Sequence, residues 1–173
     1  MLSIRPATPA DVPTILGFIR ELATFEREPE AVVATDAGLL RDGWGLASDA
    51  VTKLTPEQAP RFTCLIAEFD GQAAGFALYF ASYSTWLGHH GIRLEDLYVT
   101  PEYRKKGIAR ALLARLARIA VDEGCGRLEW DVLDWNANAI AVYERLGAGI
   151  QSEWRIMRLS GEALTALAAK SDS

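Results

Sequence analysis

Two places in this chain of 173 residues combine the residue types and spacing that chemistry needs. The first is Glu102-Tyr103-Arg104-Lys105-Lys106-Gly107-Ile108-Ala109, which follows a β-rich run at 92–99 and opens an amphipathic stretch at 106–123. A strand, a basic turn containing Gly and a helix N-terminus together make an anion-binding device. The N–H groups of the first helical turn lack intrahelical acceptors, and the helix dipole favours negative charge there. No Gly-Lys-Ser/Thr follows, so the turn is not a Walker loop, and Gly-x-Gly-x-x-Gly is absent, so it is not a dinucleotide fingerprint. Taken alone, Arg-x-x-Gly-x-Ala also fits a capped surface helix with solvated charges. The second place is the adjacent pair Glu95-Asp96 near the end of the same β-rich run. Neighbours in a flat strand point to opposite faces, so only one carboxylate should reach a given slot unless a bulge re-aims the pair. Either could instead cap or pair with Arg93.

Other reactive side chains carry weaker signals. Cys64 lies in an apolar run, and Cys125 in a Gly-Cys-Gly turn. Neither has a sequence neighbour at metal-ligand spacing, so no metal site is expected. His89 and His90 read as an exposed pair in a Gly-flanked loop.

The elements that must hold these residues follow from periodicity. The run 2–5 alternates as a strand. Thr8-Pro9-Ala10-Asp11 has the form of a helix start, with Thr8 as cap, Pro9 as first helical residue and Asp11 three after the cap. Val12, Ile15, Leu16, Ile19 and Leu22 then form a helical stripe to about Phe25. Residues 26–60 are less regular, with a short helix at 35–40 and turns at Gly43, Gly45, Pro56 and Pro60. A long irregular connection of this kind is expected to border a cleft. Strands at 61–69 and 72–80 are joined by Asp70-Gly71, a hairpin signal. A loop at 82–91, a strand at 92–99, a helix at 106–123, a strand at 127–133, a helix at 137–146, a strand at 149–159 and a weakly anchored helix at 161–169 complete the order. That order is an α/β layer fold with a mixed sheet, in one domain over 1–173 with a mobile tail from about 170.

Composition excludes several classes. Half the residues are hydrophobic and 24% are charged, which is globular rather than disordered. The longest apolar stretch, 73–81, falls far below the ~18 residues of a membrane span, and the N-terminus lacks a signal-peptide layout. With 18 Lys+Arg against 23 Asp+Glu, the net charge of −5 argues against nucleic acid as a partner. The face carrying Arg110, Arg115 and Arg118 reads as a solvated outer face rather than a membrane contact. Two unpaired cysteines suit a reducing cytoplasm.

Leu94-Glu95-Asp96-Leu97-Tyr98-Val99, Pro101 to Ala109, Asp134-Trp135-Asn136 and Tyr143-Glu144-Arg145-Leu146-Gly147-Ala148 together resemble the GNAT family of acetyl-CoA-dependent N-acetyltransferases. Within it the chain is similar to the diamine acetyltransferases, and most to their thialysine N-acetyltransferase branch. The similarity extends to Glu21-Leu22-Ala23, Asp42-Gly43-Trp44-Gly45, Trp86-Leu87-Gly88 and Gly161-Glu162-Ala163. It implies a mixed, mostly antiparallel sheet splayed between two strands, with helices on both faces. It also implies acetyl-CoA as cosubstrate, its pyrophosphate on the backbone of Arg104, Lys105, Lys106, Gly107, Ile108 and Ala109. The pantetheine arm would bond the main chain of Leu97, Tyr98 and Val99, and Asn136 matches a CoA contact. Tyr143 matches the tyrosine that protonates the departing thiolate, although by periodicity it could equally be a core aromatic. Relatives are typically homodimers.

An alkylammonium of pKa ~10.4 must lose a proton before it attacks a thioester. Glu95, acting through a water, is the candidate base and Asp96 its rival. A small cationic amine would be met by Phe25, Glu26, Trp86, Glu95, Asp96, Glu153 and Trp154. Relatives that take polyamines carry an acid where this chain has Ser84, and the loop before Trp154 is shorter here, which leaves the acceptor open among lysine-like amino acids and short diamines. A CoA-binding domain without catalysis, or a protein acetyltransferase, are the alternatives.

Overall fold

The computed structural model describes residues 1–46 and 59–171. The expected turn at Pro56 and the last two residues of the tail lie outside them, as does the middle of the expected cleft border. The chain divides into two compact units, Met1–Asp131 and Val132–Ser173.

The first unit is built on five strands, β1 (Leu2–Pro6), β2 (Thr63–Phe69), β3 (Gln72–Ser84), β4 (His89–Val99) and β5 (Leu128–Trp130), lying side by side in chain order. The first three pairings are antiparallel and the last is parallel. The β2–β3 hairpin turns through Asp70 and Gly71, both at positive φ, as a two-residue turn of this type requires. Helices α1 (Val12–Phe25) and α2 (Asp36–Trp44) serve one face of the sheet, and α3 (Ile108–Asp122) the other. Strand alternation sorts the core accordingly. Cys64, Ile66, Phe76, Leu78 and Tyr98 pack with Val12, Ile15, Leu16 and Phe18 of α1. Leu65, Ala67 and Ala77, on the opposite pleat, are covered on the α3 side, where Ile108, Leu112 and Leu116 are buried.

The start of α1 follows the sequence signal with one refinement. Pro9–Asp11 forms a single 3₁₀ turn that leads into α1. The Asp11 carboxylate accepts from the Thr8 N–H at 2.7 Å and the Thr8 hydroxyl at 2.9 Å. Arg5 adds a two-pronged contact to Asp11 and a bond to Glu68, both at 2.8 Å. These bonds, led by Arg5, hold the Asp11 carboxyl well below the usual carboxylate range. A depressed pKa contributes stability above the unfolded-state value, and that stability is lost as pH falls. Asp11→Ala is therefore expected to lower unfolding stability by about 1–3 kcal/mol at pH 7, with the gap closing below pH ~4; urea midpoints across pH measure it.

Four expectations about elements need correction. The short helix expected at 35–40 runs on to Trp44, so Gly43 lies within it and the chain turns at Gly45. The loop at 82–91 is a hairpin whose strands pair through Ser84↔His89, so His89 and His90 lie in β4 and only 85–88 turn. The buried Ser84 closes that turn, its hydroxyl accepting from Leu87 N–H at 3.2 Å and its carbonyl from Gly88 N–H at 2.8 Å. The strand expected at 127–133 stops at Trp130. In the second unit, α4 (Ala137–Arg145) and α5 (Gly161–Ala168) form as expected, but 149–159 is not a strand. Its alternating pattern finds no ladder partner among the described residues, and without one the extended backbone gains nothing from the pleat.

Candidate functional site

The ladder between β3 and β4 slips by one residue: Leu78 opposes Asp96, Tyr79 opposes Leu94, and Glu95 is the extra residue between them. This bulge reverses the pleat of β4 midway. Leu94 is buried on the face opposite α1, whereas Asp96 and Tyr98 stand beside Leu78 and Phe76 on the α1 face. Strict alternation would have put all three on one face. Glu95 is left exposed at the bulge and Asp96 is largely enclosed.

Enclosure has a chemical consequence. Burial, reinforced by the charges of Glu95 and Glu26, pushes the Asp96 carboxyl up to about 6. Glu26 caps the C-terminal end of α1, and burial raises its carboxyl as well. The structure thus brings Glu26, Glu95 and Asp96 into one electrostatic neighbourhood. Carboxylates grouped in this way would attract a cation.

β4 pairs with β5 only from Ile92 to Leu94. Beyond that point the β4 edge has no strand partner among the described residues. Thr100 N–H donates to Ala74 O at 3.0 Å, and the Tyr98 carbonyl crowds Gly75. In an antiparallel ladder this alternation turns the main-chain groups of Tyr98 into the sheet and those of Leu97 and Val99 toward the open edge. Tyr98 itself is a core residue, its ring 6.1 Å from that of Phe18.

After Thr100 a 3₁₀ turn, Pro101–Tyr103, leads into the basic turn. Lys105 (φ 63°) and Gly107 (φ 80°) are both left-handed, which folds the chain so that consecutive N–H groups converge. Ala111 is the first residue of α3 whose N–H finds a helical acceptor, Gly107 O at 3.0 Å. The N–H groups from Lys105 to Arg110 have no protein acceptor among the described residues. A Cβ at Gly107 would meet nothing within 4 Å, so the concavity is open to a ligand. This is an oxyanion cradle that would fit a diphosphate.

The basic side chains here are more constrained than their sequence suggests. Arg104 Nε donates to Val99 O at 3.1 Å, and its guanidinium lies 5.3 Å from the Phe25 ring centroid and 5.7 Å from that of Tyr98. Lys106 Nζ sits 4.7 Å from both the Phe69 and Tyr103 rings. Phe25, read from sequence as a face for substrate, thus meets Arg104. No local signal could have revealed that clamp, since its two halves lie on α1 and on the turn after β4. Trp86 is in the exposed turn between β3 and β4.

In the second unit, Asn136 caps α4, its side-chain oxygen accepting from Ala139 N–H at 3.3 Å. Tyr143 follows two turns later on the same helical face, and burial pushes its hydroxyl pKa up. Trp154 is exposed.

Comparison with known proteins agrees with this geometry. The acetyltransferase (GNAT) family pattern matches residues 23–148. A thialysine N-epsilon-acetyltransferase from Bos taurus is 39% identical over 96% of this chain and 97% of its own. An L-ornithine N5-acetyltransferase from Arabidopsis thaliana is 36% identical over 95% of this chain and 86% of its own. Among solved structures, an integron cassette protein of V. cholerae superposes with a TM-score of 0.75 at 23% identity, covering 96% of this chain and 97% of that one. The fold, the cradle at the mouth of α3 and the near full-length sequence match lead to one conclusion: the chain belongs to the GNAT family of acetyltransferases.

Proposed function

We propose that this protein moves the acetyl group of acetyl-CoA to the distal primary amine of a small cationic amino acid or short diamine. The observation that carries the reading is the fan of free N–H groups at the mouth of α3, set directly after the open edge of β4. When bound, acetyl-CoA supplies an activated acyl group as a thioester. The backbone of 105–109, with Arg104 behind it, would hold the diphosphate, and Leu97 and Val99 would bond the pantetheine amides along β4. Glu26, Glu95 and Asp96 would draw in the ammonium. Asp96, its pKa raised to about 6, is the member of that group best tuned to take its proton, with Glu95 beside it as the alternative base, acting through water. Tyr143, kept protonated by burial, would deliver a proton to the departing thiolate.

Direct transfer is favoured over an acyl-enzyme. The Cys64 thiol is buried and pushed up to about 12, far from a nucleophilic thiolate at neutral pH. The two amino-acid acetyltransferases at 39% and 36% identity support an acceptor with an α-amino acid head and a distal amine. Ser84 supports it too, because its buried hydroxyl serves its own turn rather than a cation. Trp86 and Trp154 remain candidates for stacking on that substrate, and Asn136 for a CoA contact beyond its capping role.

The deciding experiment is thiol release from acetyl-CoA with thialysine, ornithine, lysine, spermidine and a short diamine as acceptors. Turnover is expected with the amino acids ahead of spermidine; acetyl-CoA binding without turnover on any acceptor would overturn the reading in favour of a binding domain. Tyr143→Phe is expected to lower kcat about 10²-fold while leaving KM for acetyl-CoA near the parent value. The homodimer belongs to this reading through the family resemblance and the cytoplasmic location through the sparse cysteine usage, and sedimentation and fractionation test them. No helix among the described residues is long and apolar enough to cross a membrane.

A further inference from the structure

We infer that His90, Glu123 and Cys125 form a binding site for one zinc-like divalent cation, at the end of α3 remote from the acetyl-donor cradle. The three come from different parts of the fold: His90 from the start of β4, Glu123 from the C-cap of α3 and Cys125 from the turn into β5. One ligand atom from each lies within 4.8 Å of the other two. An imidazole nitrogen, a carboxylate oxygen and a thiolate are the donor types that zinc takes in four-coordinate sites, where three protein ligands leave one position for water. Glu123 and Cys125 are two apart in sequence, but His90 joins them only through the fold.

The backbone beneath the three side chains is fixed without any ion. Cys125 N–H donates to Ala120 O at 2.8 Å and Gly124 N–H to Val121 O at 3.1 Å. With Gly124 left-handed, this is the Schellman closure of a helix. It sets Glu123 and Cys125 on either side of the glycine. Gly126 N–H then donates to His90 O at 2.8 Å, tying the strand that carries the histidine to the turn that carries the thiol. The three side chains therefore project from mutually bonded backbone, and a cation closing them orders side chains alone. The carbonyl end of α3 adds a favourable field for positive charge.

The site is separate from the acetyl-transfer machinery. α3 is 15 residues long, so its two ends are about 22 Å apart. A cation here would act as a clasp between β4 and the α3–β5 turn and would mask the Cys125 thiol. Cys64 is no rival ligand, being buried in the core. His89 is the natural control, since it neighbours His90 and points to the opposite pleat.

The test uses the full chain after chelator treatment. Titration with Co²⁺ is expected to give one equivalent per chain with a thiolate-to-metal charge-transfer band, and Zn²⁺ to displace it. Zn²⁺ is expected to raise the Tm and to slow alkylation of Cys125 by iodoacetamide. His90→Ala and Cys125→Ser are each expected to weaken Co²⁺ binding about 100-fold or more, since loss of an outer-shell partner already costs 10–100-fold; His89→Ala should leave it unchanged. Absence of the thiolate band in the parent, or its persistence in His90→Ala, overturns the proposal. Alkylation protection is read on the unmutated chain, so it decides the matter even where a variant fails to fold.

Discussion

Asp96→Asn is expected to remove most of the turnover and, at the same time, to make the protein more stable. The bulge at Glu95 turns Asp96 onto the enclosed α1 face, where burial and two neighbouring carboxylates raise its pKa from 3.8 to about 6. A base of that strength is mostly ionised at neutral pH yet still able to accept a proton. Its loss is expected to lower kcat/KM by about 10²–10⁴-fold. The parent's rate should fall as pH drops through about 6, and the variant's residual rate should lack that limb. Stability runs the other way. A carboxyl whose folded pKa is raised is tolerated fully only below its unfolded value; its penalty grows as pH rises from about 4 through 6 and is complete above. The displacement corresponds to as much as about 2–3 kcal/mol at pH 7–8. An amide of the same shape carries no charge to desolvate, so the urea midpoint of Asp96→Asn should exceed the parent's at pH 8 and converge with it near pH 4. A variant that loses both activity and stability would mean that Asp96 serves the core rather than the reaction. Glu95→Gln supplies the comparison: exposed at the bulge and acting on Asp96 only through its charge, it should raise stability less than Asp96→Asn does, and a loss of rate equal to that of Asp96→Asn would transfer the base role to it.

The legible parts of the fold are those set by neighbours in sequence. Thr8 and Asp11 announce the start of α1, Thr35 caps α2 by accepting from Gly38 N–H, and Asp70-Gly71 sets the hairpin, because each device is closed within four residues. The fan of free N–H groups at the mouth of α3 is legible for the same reason: Lys105 to Ala109 is one continuous turn. What escapes is set by partners far along the chain. The slip at Glu95 exists only relative to Leu78 and Tyr79 of β3, so no pattern within 92–99 specifies which carboxylate is enclosed. His89 and His90 look like loop residues until β3 extends to Ser84 and pairs with them. Arg104 reads as a free cation until Phe25 and Val99 close on it. The run 149–159 alternates like a strand, yet alternation states only which face would be apolar, not that a ladder exists to receive it.

The cradle makes a second large prediction, about acetyl-CoA rather than the amine. Ala109→Pro is expected to raise KM for acetyl-CoA about 10–150-fold with little change in kcat at saturation. Proline deletes one N–H from the fan at the mouth of α3 and nothing else that the helix needs. In the first turn that N–H has no helical acceptor, and the proline ring meets no preceding turn. The chain already contains the same arrangement, since α1 opens with Val12-Pro13. Folding is thus expected to survive, with helix content and Tm near the parent's. A hydrogen bond from that N–H to a diphosphate is charge-assisted, and losing it costs ~1.5–3 kcal/mol of binding, which sets the stated range. Ala109→Gly provides the rescue: it restores the N–H, adds no side chain and should bind acetyl-CoA like the parent. If Ala109→Pro keeps its helix content and binds acetyl-CoA as tightly as Ala109→Gly in calorimetry, the diphosphate does not lie on these amides. The placement of the thioester along β4 then fails with it, because the cradle would fix one end of the donor and the open edge of β4 can only direct the other.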